Sequence, residues 1–179
     1  MSRRDLAAPS DAAPSEAVAS PTPGAWLWLF PVVLAVHSVE ESCAGEGFHH
    51  WIRRPTGREI DGRTLVAFNV AFEAAAIALV RRARRGRAPW VAPALGLIGL
   101  TEGLYHPVGC ALTRSYSPGT VSGIALWAPL GVAALVGSRR RLSRRTWRRG
   151  VGAGLLLTAS LVPLALAFSH PSPATEPAR

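Results

Sequence analysis

The sequence predicts an all-α fold, an integral membrane bundle of about five transmembrane helices. Three observations predict it. Half of the residues are apolar (49%), although 17% are charged. Long stretches without arginine alternate with short arginine clusters, the pattern of spans and their loops. Tryptophans and prolines fall at the edges of the apolar stretches, where membrane interfaces and first helical turns accept them.

Residues 1–24, rich in Ala, Ser and Pro, can bury nothing and are expected to be a disordered tail. Arg3 and Arg4 resemble a twin-arginine start, but the apolar segment begins some twenty residues later and contains His37, Glu40 and Glu41. A signal-peptide core would not tolerate these residues, so a retained helix is expected over 25–44, with Trp26 and Trp28 at its interface. A polar loop follows over 45–63, holding His49, His50, Trp51, Arg53 and Arg54. The second helix is expected over 64–80, closed by Arg81 and Arg82. The third spans 89–113 with Pro89 in its first turn. Tyr116-Ser117-Pro118-Gly119 reads as a turn. The fourth helix covers 120–137 and the fifth 151–168. The transmembrane domain is thus 25–169, and the Pro-rich residues 170–179 are expected to be a flexible tail.

All 20 basic residues are arginine, and the net charge is +9. Their placement beside apolar segments argues against nucleic acid, which wants a basic stripe interleaved with aromatic and polar groups. Topology and anionic head groups explain them instead. Over five spans, one side carries Arg3 and Arg4, the five arginines from 81 to 87 and the seven from 139 to 149, fourteen in all. The other carries Arg53, Arg54, Arg58, Arg63, Arg114 and Arg179, six in all. That bias places the N-terminus in the cytoplasm and the C-terminus outside.

Six ionisable residues fall inside predicted spans: His37, Glu40 and Glu41 in the first, Glu73 in the second, Glu102 and His106 in the third. Each costs about 2.5–3.5 kcal/mol at the bilayer centre on insertion scales, so something must hold them in common. His37 with Glu40 and Glu41 is an i, i+3, i+4 set; Asn69 with Glu73, and Glu102 with His106, are i, i+4 pairs. In the alternating topology all three sets fall at similar depth, towards the outer half. The small residues Gly96, Gly99 and Gly103 line one face of the third helix and favour close packing beside the polar turns.

His37-x-x-Glu40-Glu41, the Asn69/Glu73 pair, Glu102-x-x-x-His106 and the Tyr-x-Pro-Gly turn resemble the HXXEE family of small bacterial and archaeal membrane proteins. The resemblance covers roughly residues 25–130. It implies a polytopic protein with polar motifs on successive helices, in the cytoplasmic membrane of a bacterium. It implies no reaction.

The chemistry must come from the residues. Four carboxylates and two imidazoles suit a divalent metal site of one or two ions, with His37, Glu40, Glu41, Glu73, Glu102 and His106 as candidate ligands and Asn69 in support. The soluble dinuclear proteins use Glu-x-x-His, whereas the motifs in these spans are His-x-x-Glu-Glu and Glu-x-x-x-His, which argues against their geometry but not against metal. Carboxylate-rich, thiolate-poor donors favour iron, zinc or manganese. Glu40, Glu41 and Glu73 are the candidate catalytic groups, acting on a lipophilic small molecule that enters from the lipid bilayer. A metal-free isomerase or cyclase could use the same Glu and His residues as acids and bases. A non-enzymatic ion or lipid carrier is the third class, but helices four and five offer it little beyond Thr120, Ser122, Thr158 and Ser160. Against all three stands plain interhelical hydrogen bonding, for which Asn69 suffices and four Glu are a poor choice. His49, His50 and His170 read as idle. Cys43 and Cys110 could pair across helices or simply pack.

Overall fold

The computed structural model describes residues 24–171; residues 1–23 of the expected N-terminal tail and residues 172–179 lie outside them. The fold is all-α. A 3-10 turn at Ala25–Trp28 leads into α1 (Leu29–Cys43), followed by two short helices, α2 (Phe48–Trp51) and α3 (Arg53–Thr56), and strand β1 (Arg58–Ile60). Helices α4 (Gly62–Arg84) and α5 (Val91–Thr113) come next. A single turn α6 (Thr120–Ser122) runs through a π-helical segment, Gly123–Trp127, into α7 (Ala128–Arg141). Helix α8 (Arg144–Ala167) and strand β2 (Ser169–Pro171) complete the chain.

The long helices outrun the apolar segments because charged residues extend them. Asp61 Oδ2 accepts from the backbone N–H of Arg63 (2.9 Å) and Thr64 (3.1 Å), capping α4 four residues before its first leucine. At the far end Arg81, Arg82 and Arg84 stay helical, beside the negative end of the macrodipole. Ser143 likewise caps α8, so that helix begins at Arg144 and not at 151.

The expected loop 45–63 is instead largely structured. Phe48, Trp51 and Ile52, spaced i, i+3, i+4, share one face, and Trp51 and Ile52 pack with Ile60 and Leu65 in a small buried cluster. Strand β1 pairs antiparallel with β2, so His170 and Pro171, expected at the start of the flexible tail, are tied down. Arg58 clamps that pairing by donating to Ser169 Oγ and its carbonyl oxygen, both at 2.6 Å.

The larger core gathers Leu27 from the 3-10 turn, Phe30 and Val33 from the start of α1, Val80 and Ala83 from the end of α4, Val91, Ala92 and Leu95 from the start of α5, and Trp127 and Ala134. This makes α1 antiparallel to α4. Helix α5 is the central element, flanked by α7 on its glycine face and by α8. Cβ atoms added at Gly96, Gly99 and Gly103 would lie 3.0 Å or closer to α7 and the π-helical segment, and one at Gly131 would lie 2.5 Å from the Leu100 amide nitrogen. Backbones this close are the small-residue packing the glycine stripe forecasts.

Among the described residues, three helices are long and apolar enough to cross a membrane: Gly62–Arg84, Thr120–Arg141 and Arg144–Ala167. A fourth is counted if Ala25–Cys43 and Phe48–Thr56, bent by 63°, form one broken span. Length and apolarity thus support three or four of the five expected spans. Helix α5 has the length, but Glu102, His106, two prolines and four glycines dilute it.

Candidate functional site

The polar site lies between the two apolar clusters. Besides Pro31, the buried positions on α1 are Phe30, Val33, His37 and Glu41, one stripe at helical spacing, so the site's first two groups continue the core-facing face. On α5 the buried face runs Gly96, Gly99, Gly103, His106. The same glycines that bring α7 close to α5 thus deliver His106 into the bundle. Below the imidazoles sits Trp127, 6.2 Å from His37 between ring centroids. Above them Phe48 packs edge-on at 5.4 Å from His106.

The two Nε2 atoms converge on one oxygen. His37 Nε2 lies 3.6 Å from Glu41 Oε1, and His106 Nε2 lies 3.6 Å from the same atom. His37, Glu41 and His106 are buried, and each offers one ligand atom within 4.8 Å of the others. A separation of 3.6 Å is too long for a hydrogen bond. It is close to the edge of about 3.3 Å between donors that share a tetrahedral ion at 2.0–2.1 Å. His37, only 3% exposed, has an Nε2 with no hydrogen-bond partner. Left so, that buried nitrogen costs about 1–3 kcal/mol; a cation between the three groups would remove the penalty. The residues therefore fit a divalent ion.

The surroundings fix these groups. Asn69 Nδ2 donates to Glu41 Oε2 at 3.2 Å, leaving Oε1 to the centre. His37 Nδ1 is 2.8 Å from Ser122 Oγ, and His106 Nδ1 is 3.0 Å from Ser117 Oγ. Gly119, at φ +103°, passes so close that a Cβ there would lie 2.6 Å from His106 Cε1 and 2.7 Å from His37 Cε1.

Of the other candidates, Glu102 is the nearest, its Oε2 4.0 Å from His106 Nε2. Glu73 is not among the converging ligands, although its Oε2 is buried without a hydrogen-bond partner. Glu40 turns away from the centre to the start of α6. Its Oε1 accepts from the Val121 amide (2.9 Å) and the Tyr116 hydroxyl (2.5 Å), its Oε2 from the Ser122 amide (2.7 Å) and hydroxyl (2.5 Å). Burial, then the Glu40 hydrogen bond and its charge, push the Tyr116 phenol up to about 12.

Sequence reasoning passed over Ser117, Gly119 and Ser122 as site residues. The hydroxyls and glycine clustered around Tyr116-Ser117-Pro118-Gly119 were the available signal, but nothing local ties that turn to the helices it serves. The His49 and His50 rings lie 4.1 Å apart, tilted by 43°, outside the site, and burial, with the charge of His50 second, lowers the His49 pKa. Cys43 and Cys110 are both free. Cys110 Sγ accepts from the Ser117 amide (3.0 Å) and meets Thr120 Oγ1 (3.1 Å), bracing the turn.

No curated protein and no solved structure matches the chain. The sequence profile of proteins of unknown function with an HXXEE motif matches residues 28–134, a stretch that holds His37, His106, the four candidate glutamates Glu40, Glu41, Glu73 and Glu102, and the turn. The chain belongs to the HXXEE-motif family.

Proposed function

We propose that the protein is a membrane-embedded metalloenzyme that holds one divalent cation on His37, Glu41 and His106 and acts on a lipophilic substrate. The observation that carries this reading is the convergence of both Nε2 atoms on Glu41 Oε1 at 3.6 Å, with His37 Nε2 otherwise unpartnered. Two imidazoles and a carboxylate favour zinc, iron or manganese over copper. When bound, such an ion supplies Lewis-acid polarisation of a substrate oxygen or of water.

The protein's own groups do the rest. Asn69 orients Glu41, while Phe48, Tyr105 and Trp127 wall the imidazoles from water. Glu102 either completes the ligand set or takes a proton beside it. Glu73, one turn beyond Asn69 on α4, is the second proton acceptor. Exposed Val66 and Val70 on α4, with Leu104, Val108 and Leu112 on α5, offer apolar surface to lipid around this end of the bundle, which favours a substrate dissolved in the bilayer. In the same reading α1, α4, α5, α6–α7 and α8 each cross the membrane. The N-terminus is cytoplasmic, and the site lies in the outer half.

The test is titration of the chelator-stripped protein in lipid nanodiscs with Zn²⁺, Fe²⁺ and Mn²⁺. One site per chain that disappears in Glu41→Gln supports the reading. Absence of binding by all three ions ends it, and turnover of a lipid extract by the metal-free protein would then favour acid–base isomerisation or cyclisation.

A further inference from the structure

The two adjacent glutamates of the motif face different partners. On α1, Glu41 points to the imidazole centre and Glu40 to the start of α6, where its two carboxylate oxygens meet four donors. Two of those are backbone amides, which can only donate. The Ser122 hydroxyl has one proton. Its possible acceptors are Glu40 Oε2 at 2.5 Å, His37 Nδ1 at 2.8 Å and the Gly119 carbonyl at 3.5 Å. Two oxygens 2.5 Å apart need a proton between them, and Glu40, which accepts a backbone amide on each oxygen, is the carboxylate, so the hydroxyl proton goes to Glu40. The Ser122 oxygen then presents only lone pairs to His37 Nδ1 at 2.8 Å. Nδ1 must therefore carry the ring proton, and Nε2 must present its lone pair to the centre.

We infer that Glu40 is a positioning residue: through the Ser122 hydroxyl it holds His37 in the Nδ1–H form and aims its free Nε2 at Glu41 and His106. The motif's two glutamates thus divide the work, Glu41 at the centre and Glu40 behind the histidine. The same carboxylate fastens α6 to α1, so the turn that places Gly119 against both rings is docked by the group that orients one of them. The use of this orientation rests on the metal-binding reading above; the tautomer itself does not.

The experiment is ¹⁵N NMR of histidine-labelled, chelator-stripped protein in nanodiscs, with His37 assigned by its loss in His37→Gln. Wild type shows the neutral Nδ1–H form. Ser122→Thr, which keeps the hydroxyl, preserves it, whereas Ser122→Ala and Glu40→Gln shift His37 towards the Nε2–H form or a mixture. In metal titrations, Glu40→Gln and Ser122→Ala weaken the ion by about 10–100-fold, and Ser122→Thr restores it. A merely structural tie would move thermal stability without moving the tautomer. An Nε2–H form in wild type, or an unchanged Nδ1–H form in both disrupting variants, overturns the inference. Failure of wild type to bind any ion would overturn the metal reading and leave the tautomer result standing.

Discussion

Replacing Gly119 by alanine separates the cost of a backbone conformation from the cost of crowding a site. Gly119 sits at φ +103°, where an L side chain is strained, and a left-handed backbone costs a non-glycine residue about 1–2 kcal/mol. Gly57, at φ +69° with nothing within 4 Å of an added Cβ, pays that kind of strain alone. At Gly119 the new methyl would also lie 2.6 Å from His106 Cε1, 2.7 Å from His37 Cε1 and 2.8 Å from His106 Nε2. Ordinary carbon contacts are about 3.5–4.0 Å, so the rings must retreat by about 1 Å. They have nowhere to go: His37 is 3% and His106 1% exposed, and Ser122 and Ser117 hold their far nitrogens. Metal–ligand distances tolerate about 0.2 Å. Gly119→Ala should therefore weaken Zn²⁺ binding by more than about 100-fold, beyond what loss of an outer-shell partner does. Gly57→Ala should lose about 1–2 kcal/mol of stability and bind normally. The assay is competition against a chromophoric chelator in nanodiscs, with thermal unfolding beside it. Wild-type affinity in Gly119→Ala would refute the reasoning, because the site would not lie against that turn.

Three further outcomes follow from the geometry. In a Tyr105→Phe background, phenolate absorbance reports Tyr116 and should appear only near pH 12, falling towards the ordinary value in Glu40→Gln. Because the folded pKa is raised, the Tyr116 contribution to stability is complete below about pH 10 and is lost as pH rises through 12; a midpoint already near 10 in the parent would contradict the Glu40 contact. Cys43 is exposed at the end of α1, so a membrane-impermeant maleimide should label it in intact cells; labelling only after permeabilisation would reverse the proposed orientation. Trp51, 1% exposed and packed against Gly109, should cost about 3–5 kcal/mol on replacement by alanine, and an unchanged melting temperature would mean the α2–α3 cap does not stabilise the bundle.

Much of the site was legible in the sequence because ionisable residues in apolar helices need company. The i, i+4 spacings of His37/Glu41 and Glu102/His106 placed each pair on one face, and alternating topology put them at one level. Glu40 was harder. At 100° per residue, Glu41 lies about 40° to one side of His37 and Glu40 about 60° to the other, and only the neighbouring helix decides which one faces the centre. Ser117, Gly119 and Ser122 come from a turn more than sixty residues downstream of Glu40, beyond any local pattern. The cap over the site was read as a loop because its strand partner, Ser169–Pro171, is more than a hundred residues away. Helix ends were set by Asp61 and Ser143 and by arginines, which favour helix as readily as they mark a membrane edge.

The central claim is that His37, Glu41 and His106 together hold an ion. Its most direct test is elemental analysis of protein purified in mild detergent without chelator, wild type beside His37→Ala, Glu41→Gln and His106→Ala. The account predicts about one equivalent of zinc, iron or manganese per chain, lost in each variant while the fold is retained by circular dichroism. Metal-free wild type that also fails to take up any of the three ions, or variants that keep a full equivalent, would contradict it.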